Sequence, residues 1–289
     1  MPIYTEPTKR HDFILLYDVV DGNPNGDPDA DNLPRVDAET QQGIVSDVCL
    51  KRKVRNYINM VVNTQDNPER FKIYVEEGAV LNERHERAYT ALNIPASKKE
   101  RDSTNQARDW MCQNFYDIRM FGAVMTTGDY NAGQVRGPLQ IMFSRSYDPV
   151  FPQALAITRM AVTNEKDRNK ERTIGRKTLI PYGLYRTYGF YNPAFGMQTG
   201  VTESDLALFW QALIQMWECD RSASRGFMSP RQLVIFTHES SLGNAPAHAL
   251  FQRLKVTKHP EVVPRDFSDY QVSLDETNLP NGITVFSLL

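Results

Sequence analysis

The chain has 289 residues, 41% hydrophobic and 24% charged, ordinary values for a globular protein with a sizeable core in one large domain with insertions or in two domains. A net charge of −2 and a pI near 6.2 exclude a global basic signature, so any nucleic-acid contact must be a local patch. Cys49, Cys112 and Cys219 are widely separated and odd in number, no CxxC or HxxxH spacing supports zinc, and no run approaches the roughly 18 apolar residues of a membrane span. The expectation is a soluble, cytoplasmic protein with reduced thiols, no metal, no cofactor and no leader segment.

Residues 11–20, apolar without interruption from Phe13 to Tyr17, read as a first strand buried on both faces. It empties into a loop over 21–35 rich in Asn, Asp, Gly and Pro. Asp21, Asn23, Asn25 and Gly26 open a D-x-[DN]-x-[DN]-G calcium pattern, but Asn32 stands where the bidentate Glu is required, so calcium is not expected. A loop of this length inside a domain is more often functional than idle. The helix that follows places Leu50, Val54, Tyr57, Ile58 and Val61 on one apolar stripe. Lys51 and Arg55 stack along one flank of that stripe, Lys53 lies on the other, and Arg52 points away from it. Two cations at the rim of a packed face suit an elongated anion such as a nucleic-acid backbone. An ordinary solvated basic face satisfies the same periodicity.

From 69 to 121 the pattern is helical, with helices over 79–92 and 97–115, the second opened by the capping-box residues Ser97 and Glu100. The loop 126–136 is rich in glycine and small polar residues that can bring backbone N–H groups to a phosphate, with Arg136 at its end. It lacks the P-loop pattern. Strands are expected over 137–144 and, with the apolar content of a central position, over 155–163. The most charged stretch, 164–177, reads as an extruded hairpin tip carrying Arg176 and Lys177, although a solvated surface loop fits those side chains equally. A strand over 180–191 holds Tyr182, Tyr185, Tyr188, Phe190 and Tyr191, which could stack bases but in strands usually pack. Thr202 and Asp205 then cap a helix with Leu206, Phe209, Trp210, Leu213, Ile214 and Trp217 on its core face. A strand follows over 232–237. His238 beside Glu239 has no nucleophile spaced to it and reads as structural, and the tail over 267–289 reads as short strands and turns.

Three segments carry a resemblance. Val45-Ser46-Asp47-Val48-Cys49-Leu50-Lys51-Arg52 behind the Asn/Asp-rich loop, Asp117-Ile118-Arg119-Met120-Phe121-Gly122, and the turn Asn244-Ala245-Pro246-Ala247-His248 resemble the backbone subunits of type I CRISPR surveillance complexes (Cascade). The likeness runs along most of the chain, is closest to type I-C, and falls in the repeat-associated superfamily. It implies an α+β fold: an RNA-recognition-motif or ferredoxin-like palm from 1–68, 137–163 and 178–289, a helical fingers insertion over 69–136, and a thumb-like hairpin over 164–177. Removing insertion and hairpin leaves a β-α-β-β-α-β order that agrees with it.

The resemblance also implies a non-catalytic subunit that polymerises along CRISPR guide RNA and presents it to a target DNA strand. Its partners would be further copies of itself, other Cascade subunits and, indirectly, a recruited helicase-nuclease. Ser46 and Lys51 fall on the family's Ser and Lys positions at the start of the helix. Arg55 and Arg136 join them from the helix flank and the glycine-rich loop, and Asn25, Arg35, Arg176 and Lys177 by placement. Charge reversal of Lys51 and Arg55 together is expected to weaken RNA binding with little change in thermal midpoint. Two alternatives stand beside this. Related type III backbone subunits cut RNA with an aspartate of the first loop, where this chain has Asp27, Asp29 and Asp31; a metal-assisted cut needs carboxylates converging on one ion. A generic single-strand-binding scaffold would instead take any long polyanion.

Overall fold

A computed structural model describes residues 2–96, 100–162, 165–167 and 173–289. The chain is α+β. Its first strand, His11–Gly22, is buried through Val19 on both faces, as an unbroken apolar run requires. It lies between Phe227–His238 and the long strand Thr173–Tyr191, antiparallel to both. Ile283–Ser287 adds to one side; Ser144–Pro149 and then Gln42–Val45 add to the other, completing the path across the sheet. The expected strand over 137–144 is broken at Met142 and Phe143 into Leu139–Ile141 and Ser144–Pro149, both paired with Thr173–Tyr191.

Alternation along the first strand sorts its side chains into two cores. Phe13, Leu15, Tyr17 and Val19 meet the helices Asp47–Val61 and Glu203–Cys219 through Leu50, Val54, Ile58, Phe209, Trp210 and Trp217. Each such side chain contributes about 1.5–3 kcal/mol on burial. Thr202 and Asp205 form the expected capping box of the second helix. Ile14 and Leu16 face the other way, against Leu250, Phe251, Leu254 and Tyr270. These come from the helix Ala247–Phe251 and the hairpin Leu254–Lys258/Tyr270–Leu274. The aromatics of Thr173–Tyr191 are packing residues. Tyr188 stacks on Phe251 with centroids 4.4 Å apart, and Tyr185 on Tyr17 at 5.5 Å.

Between the first helix and Leu139 the chain builds helices Leu81–Leu92, Arg101–Asn114 and Tyr116–Phe121 with a core of their own around Tyr89, Met111 and Phe115. The second of these starts at Arg101, later than the expected 97; Ser97 lies outside the described residues. A fully buried Arg119 ties this region to the Glu203–Cys219 helix by two hydrogen bonds to Asp205, at 2.6 and 3.1 Å. Burial works against an ionised Asp205, but Arg119 and Arg70 outweigh it and hold its pKa below the ordinary carboxylate value.

Two expectations are corrected. The loop 126–136 is the turn and outer strand of a hairpin, Gly122–Met125/Gly133–Arg136. The strand expected at the centre of the sheet, observed as Gln153–Arg159, is exposed at every residue and pairs only with the outer stretch 173–179 of the long strand. Its apolar residues misled the reading because Leu155 and Ile157 face solvent on a projecting arm. Much of the charged tip that this arm supports lies outside the described residues. No helix among the described residues is long and apolar enough to cross a membrane.

Candidate nucleic-acid interface

The first strand ends at Gly22, where a Cβ would collide with the backbone carbonyl of Arg225. Gly226, at φ +65°, faces Val20 and Asp21 in the same crowded turn, a conformation that glycine adopts without steric cost. The chain past the second long helix therefore lies directly on the start of the 21–35 loop. Asn23 is fastened there: its N–H donates to the Ser224 carbonyl at 2.7 Å and its side-chain amide to the Asn32 carbonyl at 2.6 Å. Thr178, at the root of the projecting arm, donates to that same carbonyl at 2.9 Å. Within the loop Gly26–Asp27 pairs with Leu33–Pro34, so the segment is a short ladder rather than free chain.

The far side of the loop meets the first helix. Asn25 Oδ1 accepts from both the N–H and the hydroxyl of Ser46 at 2.9 Å, which leaves the Asn25 amide to donate elsewhere. Ser46 is the N-cap residue, but its own side chain makes no capping bond, so the first-turn N–H groups of the helix keep their partial positive charge at this rim. Arg35 joins through its N–H to the Asn25 carbonyl, and its guanidinium lies 3.3 Å from Asp27. Lys51 follows one turn along, 2.7 Å from Asp47 and 5.6 Å above the Phe121 ring. Asn25, Arg35, Ser46 and Lys51 thus form one polar edge.

Arg55 stands beyond Lys51 on the same flank, 5.3 Å above the same ring, but its Nε donates at 2.7 Å to Asp117. That carboxylate is buried and also accepts from the N–H groups of Tyr74 and Val75. Arg55 is therefore a structural ion pair as well as a rim cation, and the expectation that reversing its charge would spare stability is corrected. Two further placements on this helix are corrected. Lys53 is not a flank residue: it is 1% exposed, ion-paired with Asp220 and 5.9 Å from the Trp217 ring. Burial lowers its pKa, with Asp220 acting in the opposite direction. Arg52 does not project freely but donates to the Val75 carbonyl at 2.7 Å. In both cases a partner outside the helix reaches a side chain that periodicity places off the apolar stripe.

Arg136 ends the hairpin opposite Gly122, next to Phe121, and lies exposed 4.3 Å over the Phe195 ring. Arg176 and Lys177 are set apart from this edge. They line an open groove of about 530 Å³ with Asp31, Asn32, Ala154, Thr178 and Ser224. Among the described residues neither they nor Arg136 has a carboxylate within ion-pair distance. The 21–35 loop thus touches both places, Asn25 on one side and Asp31 on the other. Asp27 is engaged by Arg35 and by the Asp29 N–H. Among the described residues no three His, Cys, Asp or Glu side chains are placed to share a metal.

Sequence reasoning missed Phe121 as the ring under both cations, and Asn23 and Ser224 as the clamps of the loop. Each contact joins segments tens of residues apart, for which no local pattern exists. His238, read as structural, is buried between Asp12 Oδ2 at 3.0 Å and the Asn244 N–H at 2.9 Å, so it holds the 244–248 turn.

A family model described as CRISPR-associated protein Cas7 matches residues 9–275. A Haloferax volcanii protein of that description is 27% identical over 292 positions, spanning 92% of this chain and 81% of its own. A solved chain titled "CRISPR RNA-guided surveillance complex, pre-nicking" superposes with a TM-score of 0.52 at 12% identity, covering 78% of both chains, a likeness of fold. Another, titled "CRISPR RNA-guided surveillance complex", covers 78% of this chain and 68% of its own at 12% identity with a TM-score of 0.46.

Proposed function

Because the chain belongs to the CRISPR-associated Cas7 family, we propose that it is a non-catalytic guide-RNA-binding backbone subunit of a surveillance complex of type I-C. Copies stack head to tail along the guide and present it to a target DNA strand in the cytoplasm, beside other Cascade subunits and a nuclease recruited separately. Contacts that do not close generate filaments, so one RNA can carry many copies. Specificity rests on base pairing, which frees the protein to read the backbone alone.

The observation that carries this reading is the Ser46–Asn25 junction. It brings an asparagine amide, the positive end of a 15-residue helix, Arg35 and Lys51 to one rim. Backbone-directed recognition asks for such donors, with no base-reading pocket. The Asn25 amide and Lys51 meet phosphates, and the Ser46 oxygen, its proton already given to Asn25, accepts from a ribose 2′-hydroxyl. Arg35, Arg55 and Arg136 extend the positive edge, and Arg176 and Lys177 hold the strand where it passes the arm.

The core is an RNA-recognition-like palm. The order Phe227–His238, His11–Gly22, Thr173–Tyr191, Ser144–Pro149, with both long helices on one face, supports it. The insertion over 69–136 serves as fingers and the hairpin over 164–177 as thumb.

Purification of the full chain with its neighbours, followed by sequencing of bound RNA, tests the reading. A repeat-spacer species of defined length is expected, and a mixture of cellular RNA of all lengths would replace it with the generic-scaffold reading. Cleavage is the second reading, with Asp31 lining the same groove as Arg176 and Lys177. Labelled RNA cut in magnesium by the wild type, and left intact by Asp31→Ala, would establish it.

A further inference from the structure

The face of the main sheet turned away from the long helices is only partly covered. The C-terminal helix and hairpin pack over Ile14, Leu16, Leu184, Val234 and Phe236. Next to them, Arg186 of Thr173–Tyr191 is the direct cross-strand partner of Arg145 on Ser144–Pro149. Directly opposed residues of an antiparallel pair project on the same side. Leu16, opposite Arg186 on its other flank, identifies that side as the one away from the long helices.

Like charges directly opposite destabilise a ladder, so this pairing needs a compensating group. Asp37 supplies part of it, 2.9 Å from an Arg145 that is 52% exposed. That carboxylate also accepts from the N–H groups of Glu39 and Thr40. Arg186 has no carboxylate within ion-pair distance among the described residues. Its guanidinium lies 4.9 Å from the Tyr147 ring and 4.8 Å from the Tyr188 ring, and donates to the Tyr147 hydroxyl at 3.3 Å. Tyr188 is in turn held flat on Phe251. The two rings and the Tyr147 hydroxyl fix the guanidinium in place, and its remaining N–H groups suit an oxyanion. The adjoining turn exposes Met142 and Phe143, the latter by 56%, and is tied to this strand by the Met142 N–H to the Tyr188 carbonyl at 2.8 Å.

We propose that this patch is a second binding site for single-stranded nucleic acid, on the sheet face turned away from the long helices and for a strand other than the guide. Arg186 and Arg145 hold a phosphate and Phe143 stacks a base. Fixed forked donors beside a bare aromatic ring match the alternation of phosphate and base along a single strand. An acidic peptide offers the charge without the ring.

The test uses the full chain purified with its bound RNA and a labelled oligo(dT) of about 20 nucleotides, unrelated to the guide, at the low salt that phosphate contacts favour. Wild-type protein is expected to bind it. Arg145→Gln with Arg186→Gln weakens that binding at least about tenfold and makes the log K against log salt slope shallower by about 0.7, the value for one neutralised phosphate, while the co-purifying RNA stays constant. Phe143→Ala alters no core contact; it weakens binding about fivefold or more and leaves the slope alone. Should Arg186→Gln fail to fold, Phe143→Ala and Arg145→Gln alone decide the matter. Wild-type affinity in those two overturns the proposal, as does absence of wild-type binding. Displacement of the oligonucleotide by polyglutamate at equal charge reassigns the patch to an acidic protein.

Discussion

Lys51 and Arg55 occupy equivalent places one turn apart, yet removing them has different consequences. Lys51 pairs with Asp47, a carboxylate that keeps solvent access, and an i,i+4 pair of this kind contributes about 0.3–0.5 kcal/mol. Lys51→Ala should therefore weaken RNA binding while the urea midpoint stays put. Arg55→Ala leaves the buried Asp117 short of its cation, and about 3 kcal/mol of stability should go with it. Equal urea midpoints for the two variants would disprove this division of roles. The helix periodicity placed both residues on one flank correctly. It was silent on Asp117, because a partner 62 positions away leaves no trace in local spacing.

At the scale of elements, the 21–35 loop depends on the close approach of two turns at Gly22 and Gly226. Gly22→Ala forces them apart, at about 1–3 kcal/mol for overpacking. Amide exchange over residues 23–34 should quicken and RNA affinity fall, and unaltered exchange there would refute the clamp. The start of the first strand carries a pH dependence. Burial above all pushes His11 down to about 4, so the folded state keeps it neutral while the unfolded chain, at 6.5, takes up a proton. Its stability is full above pH 6.5 and drains away as pH falls toward 4, in total by about 3 kcal/mol. His11→Gln should flatten the stability curve across that window; a slope identical to wild type would contradict the assignment.

For the whole molecule, a net charge of −2 means that the proposed RNA binding rests on local patches and not on overall attraction. Binding should still weaken steeply with salt, and Lys51→Gln with Arg136→Gln should reduce the salt slope by about 1.4 for single-stranded RNA. If that slope does not move, these side chains are not phosphate contacts. Neither substitution removes a buried partner, so melting of the double variant separates lost binding from lost folding.

Much of the architecture follows from the order of residues alone. The unbroken apolar run of the first strand, the Leu50-Val54-Ile58 stripe and the Thr202–Asp205 cap are local signals, because each arises from side chains within a few positions of one another. The family resemblance also lay in short runs such as 45–52. Tertiary structure alone decided that the apolar strand at 153–159 stands out in solvent and that Lys53 turns inward to Asp220. It likewise decided that Ser46 gives its proton to Asn25 and that Arg145 faces Arg186. Burial and pairing are properties of which distant segments meet, and that is set by the packing of the whole sheet and its helices.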